Sequence, residues 1–411
     1  MTKKTLLIGL GVVLGMLTVT AVIWAKGQKE RLTLELVWEK EFKEGIDEVC
    51  IDSTSAEPSF PIRAIRTEKG IKFFDEKGKV ISEIKNWMNA CPILCVSENG
   101  RYGGIGGPWR EYFCKTTFEL KDNRGKRIYK IKDVPNRIDI SSKGSVVAAC
   151  HAGGIGGYYS GLEFYNLSGN RIKEVNIDWN GVSSFSKDGS LYAVASFLEK
   201  RNESFKGIAG SLVLFTPEGK ELWRYPMDNM KIYNIKISDD GRYIACASDD
   251  CKSDFSKLIS YLYLFNRKGD LLGTYSVGFK ECGLLGNDEA LAFSPEGKYL
   301  AVSDYHNIYF FKTESGEMLW RYQEEVFTRR PDSVSISSNG EYIAVGIAPC
   351  SWGELKATRD RYIYFFYNSG QVIMKKNIGT TYAGGVDVKI TPNGKQLVVK
   401  AGDKTLFFNL K

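Results

Sequence analysis

The chain is poor in the residues from which catalytic centres are most often built. Its 411 residues include only two histidines, His151 and His306. A metal site needs three or four convergent ligands, so this pair cannot make one. No G-x-S-x-G, H-E-x-x-H or calcium-loop pattern occurs, and Asp249, Asp250 and Asp254 match no standard calcium spacing and read as a solvated acidic turn. The nine cysteines (Cys50, Cys91, Cys95, Cys114, Cys150, Cys246, Cys251, Cys282 and Cys350) contain no C-x-x-C and no adjacent pair, and their number is odd. They read chiefly as small buried apolar residues, with a disulfide such as Cys251–Cys282 as the lesser alternative. Of the net charge of +7, residues 1–31 carry +4 through Lys3, Lys4, Lys26, Lys29 and Arg31 against Glu30. The remainder lacks the clustered basic surface that nucleic acid requires. No cofactor, metal or catalytic residue is therefore assigned, and the chain reads as a binding protein before it reads as an enzyme.

One long apolar run is present. From Thr5 to Ala25 there is no charge, and Trp24 precedes the polar stretch Lys26–Arg31. About 20 apolar residues span a bilayer as a helix, and a Trp at the end of the run suits the interface. The competing reading, a cleaved secretory signal, wants a small-x-small site, which Ile23-Trp24-Ala25 does not provide. The expected organisation is a basic tail over 1–4, a transmembrane signal anchor over 5–25, a linker over 26–32 and a large domain over 33–411. The basic head before the first helix places the large domain outside the cytoplasm of a cell membrane. Gly11 and Gly15 form a G-x-x-x-G pair, a candidate packing face for a helix dimer.

The rest of the chain repeats. An apolar residue, Ser or Thr, two further residues and Gly recur at Val96–Gly100, Ile140–Gly144, Phe185–Gly189, Ile237–Gly241, Phe293–Gly297, Ile336–Gly340 and Ile390–Gly394. Four residues beyond these glycines stand Gly104, Ala148, Ala193, Ala245, Ala301 and Ala344, with Val398 the exception. A second turn follows each first one, as in Phe74–Gly78, Tyr165–Gly169, Phe215–Gly219, Phe265–Gly269 and Phe366–Gly370. Two hairpins in about 45 residues are the signature of a four-stranded propeller blade. Seven first turns, plus a unit over 46–84 that lacks one, predict an eight-bladed all-β propeller of four-stranded antiparallel blades. The alternative is seven blades with 33–86 as an irregular cap. The last unit ends one strand short, and residues 33–43, with Leu36-Val37-Trp38, are expected to complete it and so cover an open strand edge.

With these turns in view, the chain resembles known repeat families. Gly219–Trp223 and Gly316–Trp320 are similar to the G-x-x-L-W ending of quinoprotein-like propeller repeats, and the Ser-x-x-Gly-x-Tyr-x-Ala turns resemble WD40-like repeats. The resemblance implies a propeller fold after residue 33 and leaves function open, because such folds host many activities. The Trp-Asp and Gly-His dipeptides of WD40 repeats are missing, as is the adjacent cysteine pair of quinone-cofactor dehydrogenases.

Loop length gives the functional expectation. The Gly-containing turns are short and alike, whereas the connections between second and third strands vary, with long ones over 198–209, 249–259 and 347–361. Variable loops on a rigid scaffold are where binding sits. Trp109, Arg110, His151, Tyr158, Tyr159, His306 and Trp352 fall at these connections and are the candidate binding residues. A tract repeated as Gly103–Gly107 and Gly153–Gly157 reads as flexible hairpin ends. The leading expectation is a membrane-held scaffold that binds a protein or peptide partner on this face. The alternative is a small-ligand or hydrolase/lyase-type site at the central channel.

Overall fold

The computed structural model describes residues 33–411 apart from 43–45, 52–59, 87–91, 98, 109–115, 135–136, 145–146, 154–157, 178, 200–207, 251–258, 278–289, 305, 327–328, 350–359 and 381–384. The apolar N-terminal run, with Gly11 and Gly15, lies outside the described residues. Among those described, no helix is long and apolar enough to cross a membrane.

The described residues hold 32 β-strands and no α-helix. After β1 (Leu34–Glu41), the strands follow in antiparallel fours. The first four are β2 (Glu48–Ile51), β3 (Ile62–Thr67), β4 (Gly70–Phe74) and β5 (Val80–Lys85). The next are β6 (Pro92–Val96), β7 (Tyr102–Pro108), β8 (Thr116–Asp122) and β9 (Arg127–Val134). Then come β10 (Arg137–Ile140), β11 (Val147–Gly153), β12 (Tyr158–Tyr165) and β13 (Arg171–Val175), followed by β14 (Trp179–Phe185), β15 (Tyr192–Glu199), β16 (Ile208–Phe215) and β17 (Glu221–Pro226). The second half holds β18 (Met230–Ile237), β19 (Tyr243–Asp250), β20 (Ser260–Asn266) and β21 (Leu271–Val277), then β22 (Leu291–Phe293), β23 (Tyr299–Ser303), β24 (Asn307–Lys312) and β25 (Glu317–Gln323). The chain ends with β26 (Arg329–Ile336), β27 (Tyr342–Pro349), β28 (Asp360–Tyr367) and β29 (Val372–Thr380), and with β30 (Val386–Ile390), β31 (Gln396–Ala401) and β32 (Lys404–Leu410). The last three join β1 in the order β1-β32-β31-β30.

Counted by hydrogen bonding, these strands make seven sheets, where the sequence repeat leads one to expect eight blades. The difference rests on one backbone bridge. Tyr159 of β12 pairs with Trp179 of β14 and joins β10–β13 to β14–β17 in a single eight-stranded sheet. The bridge forms because β13 covers only Leu162–Tyr165 of β12, which leaves the start of β12 open to the following strand.

The two turns explain the repeat chemically. In the first, Gly241 N–H donates to the Ser238 carbonyl at 2.8 Å, and the Ser238 hydroxyl donates to Asp240 Oδ1 at 2.7 Å while accepting Tyr243 N–H at 3.0 Å. The same clasp recurs at Ser97 with Asn99, Ser337 with Asn339 and Thr391 with Asn393. Gly241 takes φ of 67°, a conformation that costs other residues about 1–2 kcal/mol. In the second turn a side-chain oxygen caps two backbone N–H groups, as Asp75 Oδ1 does for Lys77 and Lys79 at 2.9 and 2.8 Å. A register shift adjoins the turn, between Phe73 and Phe74 just before it in this copy and between Phe164 and Tyr165 two repeats later.

Packing between repeats uses the small residue of the second strand. Ala245 pairs with Lys236 and Ala344 with Ser335, both fully buried. The ring closes where Trp38 and Phe42 meet Phe60, Ile62, Phe74 and Phe407, with the Trp38 and Phe60 rings 5.3 Å apart and edge to face.

Candidate functional site

The links between fours and the connections between second and third strands share one face, opposite the Gly-containing turns. Of the residues assigned there from the sequence, Trp109, Arg110 and Trp352 lie outside the described residues. His151 stands within β11, opposite Gly161, and Tyr158 and Tyr159 open β12, opposite Gly153 and Ala152. His306 is buried, with 4% of its surface exposed.

One expectation is corrected. Gly103–Gly107 is not a flexible hairpin end but part of β7, with Gly103–Gly106 paired on both sides. A Cβ on Gly104 would collide with the Phe118 ring, and one on Gly103 would press on Phe73 of the preceding sheet at 2.8 Å. These glycines make room for aromatic rings. Gly154–Gly157 lie outside the described residues.

What the fold does build on this face is a polar cluster around β23–β28. Asp304, fully buried, accepts N–H groups of His306 and Asn307 at 2.8 and 2.7 Å and the Tyr309 hydroxyl at 2.8 Å. The His306 carbonyl accepts Glu324 N–H at 2.7 Å, which ties the β23–β24 turn to the end of β25. Burial pulls the His306 imidazole below its ordinary range, against the opposite influence of Asp304 and Glu324. His306 thus sits in the fold as a packed side chain.

Next to it, Arg329 opens β26. Its guanidinium lies 4.0 Å from the Tyr362 ring centroid and donates to the hydroxyls of Tyr362 at 2.8 Å and Tyr364 at 3.3 Å. Burial drives the Tyr364 hydroxyl well above the usual phenol range, and the nearby Glu324 carboxylate adds to the effect. Arg330 pairs with buried Asp332 at 2.9 Å, and Asp332 also accepts Val386 N–H at 2.8 Å from the next repeat. Arg361, 3% exposed, is held below the ordinary arginine range by burial, with Asp332 and Asp403 pulling the other way. Arg330 is therefore held by a buried acid, and Arg329 by the hydroxyls of Tyr362 and Tyr364. Side chains of this type, held in one geometry, are suited to anchoring a partner. Among the described residues no group of three His, Cys, Asp or Glu could hold a metal ion. Sequence reasoning missed this cluster because its members are 33 to 35 residues apart. The one local signal was Arg329-Arg330-Pro331-Asp332, with three charged residues in the first four positions of a first strand.

No protein-family model matches the chain, and no curated protein does. Solved structures do. The C-terminal WD40 domain of Sif2 is similar at a TM-score of 0.55 and 11% identity, over 92% of this chain and 98% of that one. Hydrazine synthase of Kuenenia stuttgartiensis is similar at 0.48 and 14% identity, over 83% and 98%. At these identities the likeness concerns the fold, and the first of the two supports a WD40-like β-propeller.

Proposed function

We propose that this chain is a membrane-tethered interaction module. An N-terminal anchor over 5–25 holds a propeller outside the cytoplasm, and the variable-loop face takes a protein or peptide partner. The observation that carries this reading is the fixed Arg329–Tyr362 pair on that face. Trp109, Arg110, Tyr158, Tyr159 and Trp352 are assigned to the same rim, and Gly11 and Gly15 to a helix-packing face that brings two copies together. WD40-like propellers commonly mediate protein interactions, which supports this reading. We count eight blades, the eight-stranded sheet being two. Supporting this count, eight buried clusters each join one four-strand repeat to the next.

The test is a crosslinked pull-down from intact membranes. The baits are the full chain, a variant with Trp109, Tyr158, Tyr159 and Trp352 changed to Ala, and an Arg329→Ala/Tyr362→Ala variant. Loss of an anchoring side chain costs at least about 2 kcal/mol, or roughly 30-fold in affinity. A partner captured by the wild type and lost from a still-folded variant supports the loop face. Identical captures from all three baits reject it.

A further inference from the structure

The face opposite the variable loops carries a second feature. A cleft of about 530 Å3 lies there between the sheets β2–β5 and β6–β9. It is walled by the Asp75–Gly78 turn of the first sheet and by both Gly-containing turns of the second, Ser97–Gly100 and Asp122–Gly125. Contacts between repeats fix these walls. The Ser82 hydroxyl of β5 donates to the Asn123 carbonyl at 2.7 Å, and Asn99 Nδ2 donates to the Ser142 carbonyl of the next repeat at 2.5 Å. Gly100 stands so close to β3 that a Cβ on it would lie 2.7 Å from Arg63 Cβ.

Its charge is uneven. Arg63, Lys77, Arg101 and Arg124 line it against Asp75 and Glu76, an excess of two positive charges among the described lining residues. The Asp75 carboxylate lies in the field of Lys77, and Arg63 donates to the Phe60 carbonyl at 3.1 Å. Even with Lys77 set against Asp75 and Arg63 against Glu76, Arg101 and Arg124 remain. Both side chains are exposed, and neither guanidinium has a hydrogen-bond or ion-pair partner among the described residues.

The repeat supplies an internal control. At two other first turns the cation after the glycine is neutralised by the acid before it, Arg242 by Asp240 at 2.5 Å and Lys298 by Glu296 at 2.7 Å. Arg101 has Asn99 at that place, an uncharged side chain whose Oδ1 accepts the Arg101 backbone N–H at 3.1 Å. Asp122, the acid of the Arg124 turn, accepts the backbone N–H groups of Arg124 and Lys126 at 2.9 Å each. Both guanidinium forks are thus left facing the cleft. A guanidinium keeps its charge and presents a planar set of N–H donors that matches an oxyanion edge. The two oxygens of a carboxylate fill one such fork, whereas a phosphate monoester has three oxygens and nearly two negative charges, enough for both. The volume suits that group together with a small body carrying it.

From this we infer that the turn-side cleft binds a phosphate monoester, gripped by the Arg101 and Arg124 guanidiniums. The path of the chain favours a lipid headgroup as its source. Leu410 N–H donates to the carbonyl of Lys395, beside the Thr391–Gly394 turn, at 2.7 Å, and Leu34 pairs with Leu410, so the chain enters β1 from the turn side. β1 meets the first sheet through Trp38 and Phe60, and a Cβ on Gly78, the residue after Lys77, would come within 3.0 Å of the Phe60 ring. The cleft therefore opens on the face from which the N-terminal segment arrives, one repeat from its entry. A lipid source rests on the anchor over 5–25 proposed above; the phosphate site itself does not.

The experiment is isothermal titration calorimetry of the full chain in a non-ionic detergent at low ionic strength. The probes are glycerol 3-phosphate and dioctanoyl phosphatidic acid, which carry the same phosphate without and with acyl chains. The variants are Arg101→Gln and Arg124→Gln, with Arg242→Gln as a control for an arginine of the same face that already has its acid. Binding of both probes is expected, weakening about tenfold with each cleft arginine lost, weakening with added salt and unchanged in the control. Tighter binding of the lipid identifies a headgroup site, and equal affinities a site for a free phosphate monoester. Glycerol 3-phosphate bound by a chain recovered in the soluble fraction would reject the anchor and keep the cleft. No heat with either probe, binding unchanged in the folded cleft variants, or an equal loss in Arg242→Gln overturns the site.

Discussion

Individual side chains show how little freedom the repeat leaves. Gly104 faces the Phe118 ring so closely that a methyl group has no space. Gly104→Ala should therefore cost about 1–3 kcal/mol through overpacking, measured by urea denaturation. His306 offers a pH-dependent check. Its folded-state pKa is lowered by burial, so the unfolded chain binds the proton more readily. The stability it contributes is complete above the unfolded value of about 6.5 and declines as pH falls through the lower folded value. The midpoint of thermal unfolding should drop on acidification through that window, and His306→Gln should flatten the dependence. An unchanged slope in the variant would show that other groups set it.

Among strands and turns, the Ser-x-x-Gly hairpins carry most of what could be read in advance. The hydroxyl of Ser238 is fully buried and both donates and accepts within its turn. Ser238→Ala leaves Tyr243 N–H and Asp240 short of a partner, a loss of about 1–3 kcal/mol with an unchanged denaturant slope. Legibility follows from locality. The turn residues lie within five positions of one another, so their spacing is a direct image of hydrogen bonds such as Tyr243 N–H to Ser238 Oγ. Four-stranded antiparallel blades followed from that spacing. The Gly103–Gly107 strand was misread because a run of glycines shows no alternation of apolar and polar side chains, which is the usual mark of a strand. The Tyr159–Trp179 bridge and the Arg329–Tyr362 pair were invisible for a different reason, since the first joins residues of successive repeats and the second joins the first and third strands of one sheet, 33 residues apart.

A ring must also close, and here closure depends on backbone more than on side chains. β1 exposes six of its eight side chains and half-buries only Leu34 and Trp38. Its ion pairs, Lys404–Glu39 at 2.8 Å and Lys411–Glu35 at 2.6 Å, are solvent-exposed and contribute little. What holds it is the ladder from Leu34↔Leu410 to Glu41↔Lys404, extended by Thr33 N–H to the Lys411 carbonyl at 2.7 Å and Phe42 N–H to the Asp403 carbonyl at 2.8 Å. A protease site placed between Phe42 and Ile46 tests whether this ladder suffices. After cleavage the two fragments should co-elute on gel filtration with an unchanged circular dichroism spectrum, because the hydrogen bonds and the Trp38–Phe60 contact remain. Trp38→Ala should weaken the retention of the short fragment without abolishing it, since it removes one of only two half-buried side chains of the strand and leaves the ladder intact. Spontaneous separation of the unmutated fragments would mean that the covalent connection, and not the ladder, keeps the last sheet four-stranded. Its β32 edge would then stand open, and the cleaved ring should aggregate through it.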